Sequence, residues 1–106
     1  MGIAGGNSNE KVALITGAGI GIGRGIAKVL AEKGYRLALT YHSSEEDIRT
    51  VGQDIAHIYG KVPFVMQRDL TIREEAEHTV KKTMEELGRI DLLVNNAGIG
   101  NHAVVA

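Results

Sequence analysis

Thr16-Gly17-Ala18-Gly19-Ile20-Gly21-Ile22-Gly23 is the stretch from which the rest of the chain can be read. The apolar run Val12-Ala13-Leu14-Ile15 enters it, and Ile22, Ile26, Val29 and Leu30 leave it at helical spacing. Strand, glycine-rich turn and helix, in that order, make the opening of a mononucleotide-binding βαβ unit. The glycines are there for access, because side chains at the turn would hold a diphosphate away from the backbone N–H groups and the positive end of the helix. Gly17 suits the sharp turn out of the strand, Gly21 the close approach of the ligand, and Gly23 the tight packing of helix on strand.

Moving outward, strands and helices alternate. Lys11 to Thr16 is the first strand, apolar on both faces as a buried parallel strand should be. The first helix runs from about Gly21 to Lys33 and stops at Gly34. Arg36 to Tyr41 is the second strand. Ser43 with Glu46 has capping-box spacing for a second helix, which carries an apolar stripe of Ile48, Val51, Ile55 and Ile58 and ends near Gly60. Val62 to Met66 is a third strand, and Pro63, which donates no ladder hydrogen bond, puts it at an edge or puts the proline at its start. Thr71 with Glu74 is a second capping box, opening a helix that turns Ala76, Val80, Met84 and Leu87 inward and ends at Gly88. Ile90 to Val94 is the fourth strand, running into Asn95-Asn96-Ala97-Gly98. The pattern predicts an α/β, Rossmann-like doubly wound parallel sheet in the order 3-2-1-4, with ligand at the carboxyl ends of strands one and four.

Two motifs carry a resemblance. The spacing Thr-Gly-x-x-x-Gly-x-Gly at Thr16 to Gly23, and Asn95-Asn96-Ala97-Gly98 after a hydrophobic strand, are similar to those of the short-chain dehydrogenase/reductase (SDR) family. The segment Leu39 to Glu46 resembles the 3-oxoacyl-carrier-protein reductase and glucose dehydrogenase branch. The resemblance implies an NAD(P)-dependent oxidoreductase moving a hydride between nicotinamide and a carbonyl or alcohol, commonly as a homotetramer. It implies cofactor contacts from Gly17, Ala18, Gly19, Ile20, Gly21, Ile22 and Gly23; from Tyr41, His42 and Ser43; from Asp69 and Leu70 at the adenine; and from Asn96, Ala97 and Gly98 near the nicotinamide ribose, with Asn95 structural.

Coenzyme choice rests on the end of the second strand. An acidic residue there would bind the adenosine ribose hydroxyls and select NAD. Tyr41-His42-Ser43-Ser44 stands there instead, so a 2′-phosphate is not repelled and His42 with two hydroxyls offers it partners; NADP is favoured over NAD. Two departures weigh against this choice, since NADP-preferring relatives often carry Arg where His42 stands and a basic residue where Ile20 stands. A plain turn and helix cap is a compatible reading of the same residues.

The family's catalytic Ser and Tyr-x-x-x-Lys lie beyond the Asn-Asn-Ala-Gly turn, and none of the three tyrosines here has Lys four positions on: Tyr35 meets Leu39, Tyr41 meets Glu45 and Tyr59 meets Pro63. The expected organisation is a flexible segment over residues 1–10 and a dinucleotide-binding part over 11–106 that stops before the catalytic segment. Two other readings use the same turn: a non-catalytic nucleotide-binding module, and another Rossmann-like enzyme such as a methyltransferase. The Asn-Asn-Ala-Gly turn and Asp69-Leu70 disfavour the latter.

Composition closes off other classes. A net charge of -1 gives no broad basic surface for nucleic acid, and zero cysteines exclude disulfides and thiolate metal sites. His57, His78 and His102 lack ligand spacing, so no metal is expected, and Arg24 reads first as a solvated side chain. No stretch reaches the roughly 18 apolar residues of a membrane span, and the first ten residues lack the features of a signal peptide, which predicts a cytoplasmic protein.

Overall fold

The computed structural model describes residues 10–19, 21–43 and 45–96. Seven elements follow one another: β1 (Val12–Thr16), α1 (Gly21–Glu32), β2 (Arg36–Tyr41), α2 (Glu45–Tyr59), β3 (Phe64–Gln67), α3 (Arg73–Leu87) and β4 (Leu92–Asn95). The strands form one sheet in the order β3-β2-β1-β4, with all three pairings parallel. This is the predicted doubly wound arrangement, and its strand ends match the sequence reading to within two residues. Pro63 is buried just ahead of β3, the edge strand, where a missing N–H costs no ladder bond.

Alternation along the central strands sorts their side chains onto two faces. Ala13, Ile15, Leu37 and Leu39 face α1 and α2 and pack with Ala27, Leu30, Ile48, Val51 and Ile55. Leu14, Ala38 and Met66 face the other way, with Leu87 of α3, Ile90 and Leu93 packed against them. At the amino end of the sheet, Asp91 holds β1 to β4. Its Oδ2 accepts the Val12 N–H at 2.8 Å, and the Arg89 guanidinium donates to both carboxylate oxygens at 2.8 and 2.7 Å. The Arg89 hydrogen bonds, then the Val12 N–H, hold the Asp91 carboxyl below the usual carboxylate range.

All three helices depart from the predicted stripes, and on α1 Ile22 and Val29 are exposed while Gly23, Ala27, Leu30 and Ala31 are buried. On α2, Ile48, Val51 and Ile55 are buried as expected, whereas Ile58 is exposed and Tyr59 beside it packs against the core instead. On α3, Val80 and Met84 are exposed, and the buried positions are Thr79 and Thr83. Each threonine hydroxyl is satisfied within the helix, donating at 2.7 Å to the carbonyl four residues back, Glu75 and Thr79 respectively. That local bond makes a threonine pack as a small, nearly apolar group, which apolar spacing alone does not reveal. The Thr71–Glu74 capping box does not form either. The helix begins one residue later, with Ile72 at the N-cap and no side-chain cap bond, because Thr71 is spent on Asp69. The Ser43–Glu46 expectation turns on residue 44, which lies outside the described residues. Gly88 ends α3 in the left-handed region, at φ 86°.

Candidate functional site: a cavity at the carboxyl ends of the strands

The cavity is shaped first by how β1 gives way to α1. Thr16, the last residue of β1, is buried, and Gly17 turns the chain at φ 65°. The turn is tied to β2: the Ala18 N–H donates to the Thr40 carbonyl at 3.0 Å, and the Gly17 N–H to the Thr40 hydroxyl at 3.3 Å. Gly21 opens α1 at φ 63°, and a Cβ placed on it would meet no atom within 4 Å. Open space and a left-handed backbone together leave the main chain bare at the mouth of the helix. No acidic side chain occupies the first turn of α1, so the positive end of its dipole is not neutralised from within. Gly23 has the opposite surroundings. A Cβ there would fall on the Gly17 carbonyl oxygen and 2.6 Å from Asn96 Nδ2, so this glycine is required by packing.

β4 is stitched to the same turn. The Asn96 N–H donates to Thr16 Oγ1 at 2.9 Å, Asn96 Nδ2 to the Gly17 carbonyl at 3.1 Å, and the Thr16 hydroxyl to Asn95 Oδ1 at 3.1 Å. Both asparagines therefore brace β4 against β1.

The third wall comes from β2 and β3. The Tyr41 carbonyl accepts the Arg68 N–H at 2.8 Å, and Tyr41 packs toward α2. Asp69 closes a small turn: its Oδ1 accepts the Thr71 N–H at 3.1 Å and the Thr71 hydroxyl at 2.6 Å. Its own N–H donates to Glu75 Oε1 at 2.7 Å, so the carboxylate reaching back from α3 is Glu75. The Thr71 hydroxyl, then its N–H, and more weakly the facing His42, hold the Asp69 carboxyl below its ordinary value.

These segments enclose a cavity of about 770 Å³, within the range of about 300–1,000 Å³ usual for small-molecule and cofactor sites. Of the predicted contacts, Gly17, Gly19, Gly21, Ile22, Tyr41, His42, Ser43, Asp69, Leu70 and Asn96 line it. Ala18 and Gly23 are buried behind the turn and support it. Ile20, Ser44, Ala97 and Gly98 lie outside the described residues, as do residues 1–9 and His102. Arg24 is engaged at 3.8 Å by Asp54 of α2, in keeping with the solvated reading. The sequence reading missed Thr16, Thr40 and Arg68. The two threonines each stand near the end of an apolar strand, a polar residue where the run is about to leave the core, and that was the available signal. Arg68 lines the cavity while its Nε donates to Thr79 Oγ1 at 3.1 Å, a contact no local pattern reveals.

Residues 11–106 match the family model described as short chain dehydrogenase. The chain belongs to that family. Membership sets aside the methyltransferase alternative. A 3-oxoacyl-acyl-carrier-protein reductase of Staphylococcus epidermidis is 40% identical over 90 residues, which is 85% of this chain and 36% of that protein. An alcohol dehydrogenase from the archaeon Thermococcus sibiricus, solved with 5-hydroxy-NADP, superposes with a TM-score of 0.78 at 38% identity, over 87% of this chain and 39% of that one. A blue fluorescent protein from a metagenomic library, solved with NADPH, superposes with a TM-score of 0.79 at 36% identity, over 88% and 38%. The chain thus spans a little over a third of the length of these SDR relatives. Among the described residues no helix is long and apolar enough to cross a membrane.

Proposed function

We propose that these residues form the coenzyme-binding part of an oxidoreductase that moves hydride between a nicotinamide and a small carbonyl or alcohol, with NADP as the coenzyme. The observation that carries this reading is the convergence on one cavity of the glycine turn, the end of β2, the Asp69-Leu70 turn and Asn96. The walls suit a dinucleotide. Bare backbone at Gly21 and the unneutralised head of α1 suit a diphosphate. Asp69 and Leu70 would hold the adenine, and Asn96, fixed by Thr16 and Gly17, the nicotinamide ribose. Tyr41-His42-Ser43 ends β2 without a carboxylate, so nothing on that strand competes with a 2′-phosphate. The bound coenzyme supplies the hydride; what this chain supplies is binding and orientation. Two of the solved relatives hold NADP-type ligands, which supports the same preference. The 3-oxoacyl relative supports carbonyl reduction as the reaction class.

Titration with NADPH and NADH, followed by nucleotide fluorescence, tests the reading. NADPH is expected to bind more tightly, and Gly21→Val, which puts a branched side chain into the open space, is expected to weaken both at least tenfold, about 1.4 kcal/mol. A melting curve separates that loss from the strain of a valine at positive φ, which is about 1–2 kcal/mol. Failure of both nucleotides to bind, or unchanged affinity in a folded Gly21→Val variant, overturns the proposal. Tighter binding of NADH overturns the coenzyme assignment alone.

A further inference from the structure

His42 lies on the rim of the cavity, its side chain 71% exposed, with Nε2 4.0 Å from Asp69 Oδ2 across the gap between β2 and the β3–α3 turn. Both partners are held in place by other bonds. The His42 carbonyl accepts from Gln67 Nε2 at 3.0 Å, which fixes the backbone beneath the imidazole to β3. Asp69 Oδ1 is filled by the two Thr71 donors, so Oδ2 is the oxygen turned toward the ring. The neighbouring charges are engaged elsewhere. Glu45, at the head of α2, pairs with Arg49 at 3.5 Å, and Glu75 of α3 accepts the Asp69 N–H. The Arg68 guanidinium is taken by Thr79 Oγ1, the Gln67 carbonyl and His78 Nδ1. Among the described residues, an anion at this rim meets the imidazole of His42 and the carboxylate of Asp69, while the Arg68 guanidinium, whose uncharged partners leave its charge uncompensated, lines the same cavity.

Resting on the dinucleotide reading above, we infer that His42 and Asp69 act together as a pH-dependent selector for the 2′-phosphate of the coenzyme. With His42 protonated, the phosphate meets a cation, and the Asp69 charge is compensated. With His42 neutral, the attraction is gone and the carboxylate stands unopposed beside a dianion. One proton thus adds an attraction and removes a repulsion. A coenzyme without the 2′-phosphate has no group at that place to respond. Imidazole changes charge between about pH 5 and 8, whereas an arginine in this position would stay charged throughout. Asp69, already held in its ionised form by Thr71, keeps its charge across that interval.

Dissociation constants of NADPH and NADH for the protein are to be measured at constant ionic strength from pH 6.5 to 8.5, alongside His42→Arg and Asp69→Asn. The NADPH-over-NADH affinity ratio is expected to fall about five- to tenfold over that interval, as for loss of one favourable charge contact. In His42→Arg the ratio should stay level or rise slightly, since the phosphate completes its own second ionisation, with a pKa near 6, as pH increases. In Asp69→Asn the Thr71 bonds can persist, and the ratio at pH 8.5 should exceed that of the parent about threefold. A parent ratio that moves less than twofold, or one that falls equally in His42→Arg, overturns the inference while leaving the dinucleotide site standing. Absence of binding by either nucleotide at every pH overturns both.

Discussion

The two faces of the sheet are built from the same strands and packed to different degrees. On the α1/α2 side, Ile15, Leu39, Val51 and Ile55 are all but inaccessible, and the helices contribute branched aliphatic residues and alanines that interlock with the strands. On the α3 side the buried apolar cluster shrinks to Leu14, Ala38 and Met66, joined by Thr79 and Thr83 of the helix, with Leu93 half-buried and Val80 and Met84 each 45% exposed. The cavity opens on this second side, since Leu14, Thr79, Val80 and Leu93 line it along with the glycine turn. Within these residues, then, the α1/α2 face is the more fully packed, and the cavity lies along the other.

Truncation on each side tests that division. Ile55→Ala on α2 should lower stability by about 2–5 kcal/mol in urea or thermal unfolding, since the site is buried and its neighbours cannot collapse into the space. A loss below about 1 kcal/mol would remove the distinction between the faces. Thr79→Val, on the buried side of α3, should cost about 1 kcal/mol, because Arg68 Nε loses its acceptor. Thr83→Val serves as its control and should be near neutral, its hydroxyl bonding only a carbonyl of its own helix. The smallest effect belongs to Met84→Ser, expected within about 0.5 kcal/mol. A larger loss there would mean that the outer side of α3 is covered in solution and contributes to folding as the α1/α2 face does.

The more densely packed face was also the more legible one. Apolar periodicity read β1, β2 and the stripe Ile48, Val51 and Ile55 of α2, where burial and hydrophobicity coincide, but on α1 it also picked Ile22 and Val29, which are exposed. It failed on α3, where threonines with internally satisfied hydroxyls occupy the inside and Val80 and Met84 the outside. The Thr71–Glu74 capping box was misread for a related reason. A threonine hydroxyl has several local partners, and Asp69 outcompeted the helix N-terminus for that of Thr71. At the site, the glycine spacing and the Asp69-Leu70 turn were visible because backbone access demands particular residue types. The partners that hold them (Thr16, Thr40, Arg68) act across the fold between positions far apart in sequence, and so left little local trace.

The bond from Asn96 Nδ2 to the Gly17 carbonyl has a mechanical consequence. It runs from the exit of β4 to the first peptide of the turn, passing over Gly23, where there is no room for a side chain to cushion it. The chain leaving β4 is therefore tied to the turn after β1 by this bond as well as by the two through Thr16.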